Sequence, residues 1–180
     1  MRKRYITFIL IGLCALWGNA QSLYNTDAAS DFNKGHIMYL NGNYTGCLDI
    51  MQSLLQRDDA SQYKEEAAFF VAMSQARRSS DRTEIVLNSY LQQYPFTIHR
   101  HEILLALGNY YFHTGNYAKA LDCYLKLDID NVNTSERKDL YYHIAFCHIK
   151  ANNEGKALPL LKSLAQNSPK HRDEARYYEG

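Results

Sequence analysis

Apolar side chains along this chain recur every three or four residues, the spacing that gathers them on one face of a helix. The clearest instance is Leu104–Tyr124, LLALGNYYFHTGNYAKALDCY. Leu104, Leu107 and Tyr111 share a face with Gly108. Thr114-Gly115-Asn116 then stops the helix, with Gly115 free to take the left-handed conformation. Tyr117, Ala120, Leu121 and Tyr124 resume the periodicity on a second helix. A glycine inside a helix costs about 1 kcal/mol against alanine, so Gly108 marks a close approach, with small Ala120 expected opposite it. The stretch is predicted as an antiparallel helical hairpin whose apolar face is too large to bury alone.

The pattern repeats on either side. It predicts helices over 28–40 and 44–55, over 63–78 and 82–93, from near Ile98 through the central hairpin, over 136–151 and 154–165, and from Arg172 to Gly180. Asn41-Gly42-Asn43-Tyr44 echoes Thr114-Gly115-Asn116-Tyr117. Ser79-Ser80-Asp81 replaces the glycine turn in the second hairpin, so that turn is expected to be one residue shorter. Asp128–Ser135 is the longest polar loop. Pro159 falls past the first turn of its helix, where it removes the bond to Gly155 and should bend the helix. No segment alternates apolar and polar residues in the manner of a strand, so the chain is predicted all-α.

Small residues hold a fixed period across these helices. Gly35, Ala72, Gly108, Ala145 and Gly180 are 37, 36, 37 and 35 residues apart, and Cys47, Thr83, Ala120 and Ala157 are 36, 37 and 37 apart. Pro95 and Pro169 each follow the second small residue of their unit by twelve positions. Two registers that agree along the chain indicate internal repeats.

G-x-x-Y followed by G-x-Y-x-x-A-x-x-x-Y, in Gly108–Tyr124, resembles the tetratricopeptide repeat. The resemblance covers roughly residues 28–180, in units of about 28–61, 62–97, 98–135 and 136–170 with a partial unit at 171–180; it is loosest in the second unit. It implies a right-handed α-solenoid of helix-turn-helix repeats, four complete plus the start of a fifth. The slightly long period and the Tyr94–Thr97 ending, YPFT, lean toward exported, periplasmic members of the family. A solenoid normally closes with a polar capping element, and none follows Arg172–Gly180, so the chain is expected to be the N-terminal part of a longer protein.

In this family the first helix of each unit lines a concave, peptide-binding side. Matched unit by unit, the resemblance implies a partner-binding groove of Phe32, His36 and Tyr39, then Phe69, Met73 and Arg77. Leu105, Asn109, Phe112 and His113 follow from the third unit, and Tyr142, Phe146, Ile149 and Lys150 from the fourth. Aromatic residues at helical spacing are equally consistent with burial between repeats. The family's clamp for a partner's carboxylate is matched only by Asn109 and Lys150, so that chaperone-type partner is not expected.

Residues 1–20 change the cellular picture. Arg2, Lys3 and Arg4 precede an apolar run, Tyr5–Trp17, that is short for a membrane span, and Gly18-Asn19-Ala20 offers a cleavage site before Gln21. This predicts a cleavable signal peptide, a short polar lead over 21–27, and a periplasmic protein of a Gram-negative envelope, with outer-membrane association an option. An uncleaved anchor is the alternative, and membrane association is otherwise indirect. Leu13 before Cys14 argues against lipoprotein processing. The twenty basic and nineteen acidic residues of the whole chain fall to seventeen and nineteen once Arg2, Lys3 and Arg4 leave, a net charge of −2. Such a near-neutral chain carries no footprint for nucleic acid. Arg77, Arg78 and Arg82 are the only basic cluster visible in the sequence, and a solvated helix end accounts for them. Cys47, Cys123 and Cys147 remain after cleavage; Cys47 reads as a small buried hydrophobe, and a Cys123–Cys147 bridge is left open.

Candidate chemistry fails motif by motif. His101-Glu102 begins a zinc-protease pattern, but Leu105 stands where the second histidine is needed. His99 and His101 flank a helix start and are expected at the surface. His143 and Cys147 lie four apart, yet two ligands do not close a metal site. No phosphate-binding loop and no nucleophile with a partner motif is present. No cofactor and no catalytic residue is expected. The function implied is a non-enzymatic scaffold or adaptor binding a segment of an envelope protein, the alternative being the N-terminal sensory or interaction segment of a longer membrane-associated or regulatory protein.

Overall fold

In the computed structural model, which describes residues 27–78, 80–129 and 132–179, three helix turns close by one hydrogen-bond pattern. Gly42, Gly115 and Asn152 take positive φ of 74°, 79° and 54°. After Gly42, Asn43 N donates to Met38 O at 2.8 Å and Gly42 N to Tyr39 O at 3.0 Å; Asn116 to Tyr111 and Asn153 to His148 repeat the longer bond at 2.8 and 2.9 Å. These paired bonds satisfy carbonyls that a helix end leaves orphaned. Asn43 and Asn116 then cap the next helix, each side chain accepting from the backbone N–H three residues on, at Gly46 and Lys119. Asn152 fills the left-handed position without a glycine because a short amide side chain tolerates it. Nothing lies within 4 Å of a methyl added at Gly115, so Gly115→Ala isolates the backbone term. It is expected to cost about 1–2 kcal/mol in denaturant unfolding, from left-handed strain alone.

Among the described residues these turns separate nine α-helices and no strand. They are α1 (Asp27–Leu40), α2 (Tyr44–Leu55), α3 (Lys64–Arg78), α4 (Thr83–Gln93), α5 (Arg100–His113), α6 (Tyr117–Tyr124), α7 (Thr134–Lys150), α8 (Glu154–Asn167) and α9 (Arg172–Glu179). The chain forms two compact units, Met1–Arg78 and Ser79–Gly180. In the first, α1 packs on α2 and α2 on α3; in the second, α4 packs on α5, α5 on α6, α6 on α7, α7 on α8 and α8 on α9. No helix among the described residues is long and apolar enough to cross a membrane. Residues 1–20, expected to be a signal peptide, the polar lead up to residue 26, and Gly180 lie outside the described residues.

The small registers are buried wherever they are described. Cys47, Ala120 and Ala145 have no exposure, and Ala72, Thr83 and Ala157 retain 5% or less. Gly35 and Gly108 are buried as well. Their opposite numbers differ from expectation. A methyl at Gly108 would stand 2.5 Å from Cε1 of Tyr124, and one at Gly35 would stand 2.8 Å from Cε of Met51. Ala120 is therefore not what Gly108 accommodates; the bulky Tyr124, one turn further along α6, fills the space that the missing side chain leaves.

Two other expectations are revised, and a question left open by the sequence is answered. The second turn is not shorter: α3 ends at Arg78 and α4 begins at Thr83, with a 3-10 turn over Ser80–Arg82. Lacking a residue suited to the left-handed position, the chain turns by tightening instead. His99 and His101 are half buried rather than surface residues, and His99 Nε2 is out of contact with solvent; the His99 carbonyl accepts from Ile103 N at the start of α5. The Cys123–Cys147 bridge is absent: Cys47, Cys123 and Cys147 are buried free thiols. Pro159 sits within α8, which nevertheless continues to Asn167, and its ring is exposed.

Candidate functional site

Aromatic rings collect in each unit around a residue two positions before a small one. In the Met1–Arg78 unit that residue is Phe70, two before Ala72. Its ring lies 6.1 Å from Phe32, 4.9 Å from His36, 5.1 Å from Tyr39 and 5.2 Å from Phe69, between centroids. Tyr63 stacks on Phe32 at 4.9 Å, and Tyr44 meets Tyr39 edge-on at 5.6 Å. Of the groove residues expected here, Phe32, His36 and Tyr39 are half buried, Phe69 and Met73 are buried, and Arg77 is exposed. Burial raises the Tyr39 phenol above its usual range, and the Arg77 guanidinium opposes that shift through its charge and a hydrogen bond. The structure thus brings Phe32, His36, Tyr39 and Phe69 against Phe70, the hub that the sequence reading missed, and sets Arg77 against Tyr39.

In the Ser79–Gly180 unit the equivalent position, two before Ala145, is His143. Its ring is 4.2 Å from Phe112 and stacks on Tyr124 at 5.7 Å. Phe112 also meets Phe146 at 5.4 Å and Tyr117 at 5.7 Å, and Tyr117 closes the triangle on Phe146 at 5.5 Å. Tyr142 lies 6.2 Å from Phe146 and stacks at 4.5 Å on His171. Tyr178, at the same register position two before Gly180, meets Phe146 edge-on at 5.8 Å. Lys150 Nζ sits 5.1 Å over the Phe146 ring, a cation–π contact. Phe112, Tyr117, Tyr142 and Phe146 are all half buried, so each ring keeps an edge in solvent. Beside them an open groove of about 490 Å³ is lined by Tyr117, Leu121, Cys147 and Lys150 among others.

The remaining predicted residues are dispersed in their roles. Asn109 is half buried, and its Oδ1 accepts from the Tyr124 hydroxyl at 2.8 Å. Leu105 is half buried, and His113 is exposed with its ring edge-on to Phe112 at 5.8 Å. Ile149 packs with Tyr142 against the cluster formed by Ala145, Ala157, Leu161, Leu164, Ala165 and Ala175.

Electrostatics in the second unit follow from this packing. Tyr124 is fully buried and donates its one proton to Asn109, so His143, 3.2 Å away, must present Nδ1–H to the phenol oxygen. Burial, helped by the charge of His113, lowers the His143 pKa to about 4 against an opposing pull from Asp139. His143 is thereby held neutral within a ring stack. Burial pushes the Cys147 thiol up to about 11, and it raises Cys47 and Cys123 as well, so these thiols are poor nucleophiles. Asp139 accepts from Lys170 at 2.7 Å and meets His171 Nε2 at 2.6 Å. Its burial works to raise its pKa, but those two partners outweigh it and hold the carboxyl below its usual range. This network ties the start of α9 to α7.

Among the described residues no group of three or more His, Cys, Asp or Glu side chains is arranged to hold a metal ion. Each unit carries a cluster of buried and half-buried rings contributed by several helices, with Phe32, Tyr39, Phe112, Tyr142 and Phe146 partly exposed. Comparison of the chain with protein-family models, with curated proteins and with solved structures finds no match in any of the three.

Proposed function

We propose that the chain is a right-handed α-solenoid of tetratricopeptide-like repeats acting as a non-enzymatic scaffold, exported to the bacterial periplasm by residues 1–20. Its first helices engage a segment of an envelope protein through their partly exposed aromatic rings. The observation that carries the reading is a recurring contact between successive repeats. The position one or four after a small residue meets the position two before the next small residue: His36 and Tyr39 with Phe70, Phe112 with His143, and Phe146 with Tyr178. The same neighbours at a period of about 36 residues are what stacking of one repeated unit produces. A second recurrence, Tyr39 with Tyr44 and Phe112 with Tyr117, lies within each of two repeats.

A binding role draws support from the exposure of these rings. Aromatic residues that are half buried on a preformed surface supply contact area at low ordering cost. The partner fitting them is an extended or helical segment carrying apolar anchors. Phe112→Ala combined with Phe146→Ala is expected to weaken capture of the envelope partner about tenfold, measured by site-specific photocrosslinking in the envelope fraction, while the helical circular dichroism is unchanged. Undiminished crosslinking by a folded double variant removes this face from the function.

A further inference from the structure

We propose that the cleft between α8 and α9 docks an acidic peptide segment of a partner protein, independently of the aromatic face. The cleft originates in how α9 is seated. Ala175 has no exposure and belongs to a cluster with Leu161, Leu164 and Ala165 of α8. At 3.6 residues per turn, a helix centred on Ala175 sends Arg172 and Arg176 to one flank, Glu174 and Tyr178 to the other, and Asp173 and Tyr177 outward. The contacts agree with that rotation: Glu174 reaches His171 at 4.0 Å, Tyr178 reaches Phe146, and Tyr177 is 79% exposed.

The other flank has a different character. Arg172 and Arg176 line a cleft of about 420 Å³ together with Lys162, Ala165 and Gln166, and no carboxylate lines it. Lys119, Lys126 and Lys170 of the same unit are held by Glu84, Asp122 and Asp139, whereas Lys138 and Arg100 each bond a backbone carbonyl and Lys150 lies over a ring. Among the described residues Lys162, Arg172 and Arg176 have no ion-pair partner. Three unneutralised cations around one concavity, in a chain whose net charge is near zero, form a local and not a global positive field.

The chemistry that complements this field is a short run of carboxylates. Arg172 and Arg176, like Lys162 and Gln166, are separated by one helical turn, about 6 Å along the axis. Alternate side chains of an extended peptide recur at about 6.8 Å, so an acidic-x-acidic segment lying along the cleft meets both rungs. The arginines can each grip a carboxylate with two parallel N–H donors. Duplex nucleic acid and anionic bilayers need a broader basic surface.

The test is fluorescence anisotropy of a labelled peptide of alternating glutamate and serine at low ionic strength. Its glutamine counterpart, inorganic phosphate, single-stranded DNA and vesicles containing anionic phospholipid serve as comparisons. The full chain is expected to bind the glutamate peptide, with affinity falling as salt rises. Lys162→Ala, Arg172→Ala and Arg176→Ala combined should weaken binding at least tenfold, and exposed Arg176→Gln alone several-fold with the helical signal retained. Arg77→Ala with Arg78→Ala, and Phe112→Ala with Phe146→Ala, should leave it unchanged, which separates this cleft from the aromatic face. Equal binding of the glutamine peptide, wild-type binding by Arg176→Gln, or tighter binding of DNA or vesicles than of the glutamate peptide overturns the proposal.

Discussion

Tyr124→Ala is expected to destabilise the Ser79–Gly180 unit by about 3–5 kcal/mol, read from denaturant unfolding followed by helical circular dichroism. Tyr124 is the largest of the side chains that are fully buried, and it holds three neighbours at once. Its ring fills the space beside Gly108, its hydroxyl donates to Asn109, and its face stacks on His143. Truncation leaves a cavity and also removes a hydrogen bond from each of two half-buried polar partners, Asn109 and His143. A coupled substitution separates this account from generic core loss. Gly108→Ala alone should destabilise, because its methyl would stand 2.5 Å from a ring that has nowhere to move. In the Tyr124→Ala background the same methyl enters vacated space, and alanine's helix propensity is worth about 1 kcal/mol over glycine. The sign of the Gly108→Ala effect should therefore reverse between the two backgrounds. Additive effects would mean that Gly108 is small for some reason other than this ring.

Acidification should weaken the same unit, beginning below pH 6.5 and complete near pH 4. His143 is held neutral in the folded chain, with a pKa of about 4, whereas the unfolded chain protonates it near 6.5. Between those values the unfolded state binds the extra proton, so stability rises with pH there and falls as pH drops through the window. The full difference corresponds to about 3 kcal/mol, and screening of the partly solvated ring reduces the expected loss to about 2 kcal/mol. His148, lowered by burial and by the charge of Lys156, acts in the same direction. Asp139 adds its own loss only at lower pH, since Lys170 and His171 depress its pKa below the unfolded carboxylate value. His143→Phe keeps a ring against Phe112 but cannot titrate. Its stability should change less between pH 6.5 and 4 than that of the parent chain, and an identical profile would assign the dependence to other groups.

These expectations rest on features of unequal visibility in the sequence. The helices were readable because three- and four-residue periodicity is a local property, and α1 and α2 match their predicted spans to within one residue. The turns at Gly42 and Gly115 were readable because left-handed backbone selects glycine. The turn at Asn152 was not singled out, since asparagine occupies many conformations and signals this one weakly. The second hairpin misled for a related reason. Ser79-Ser80-Asp81 in place of the glycine turn suggested a shorter connection, yet a 3-10 turn over Ser80–Arg82 leads into α4.

Ring contacts were less legible than the helices. Phe112, Tyr142 and Phe146 were assigned to a groove by the tetratricopeptide resemblance, and in the structure Phe146 lies within ring-contact distance of both Phe112 and Tyr142. Phe70 and His143, the hubs of the two ring clusters, were not assigned to that face. Both lie one position round the helix from the expected lining, and only neighbouring helices turn that position into a meeting point. Lys162 escaped notice beside Arg172 and Arg176 because it belongs to a different helix, whereas Arg77, Arg78 and Arg82 drew attention by lying close in sequence.

Helix content, the left-handed glycine turns and the two buried registers of small residues all follow from relations among residues a few positions apart, repeated at a constant period. Such relations survive whatever the helices later pack against. Which side chain fills the space at Gly108, which histidine loses its charge, whether Cys123 and Cys147 pair, and where three cations are left without carboxylates depend instead on how far each helix is rotated and slid against its neighbour. Those offsets are set by interdigitating side chains from separate helices, so they exist only once the helices have packed.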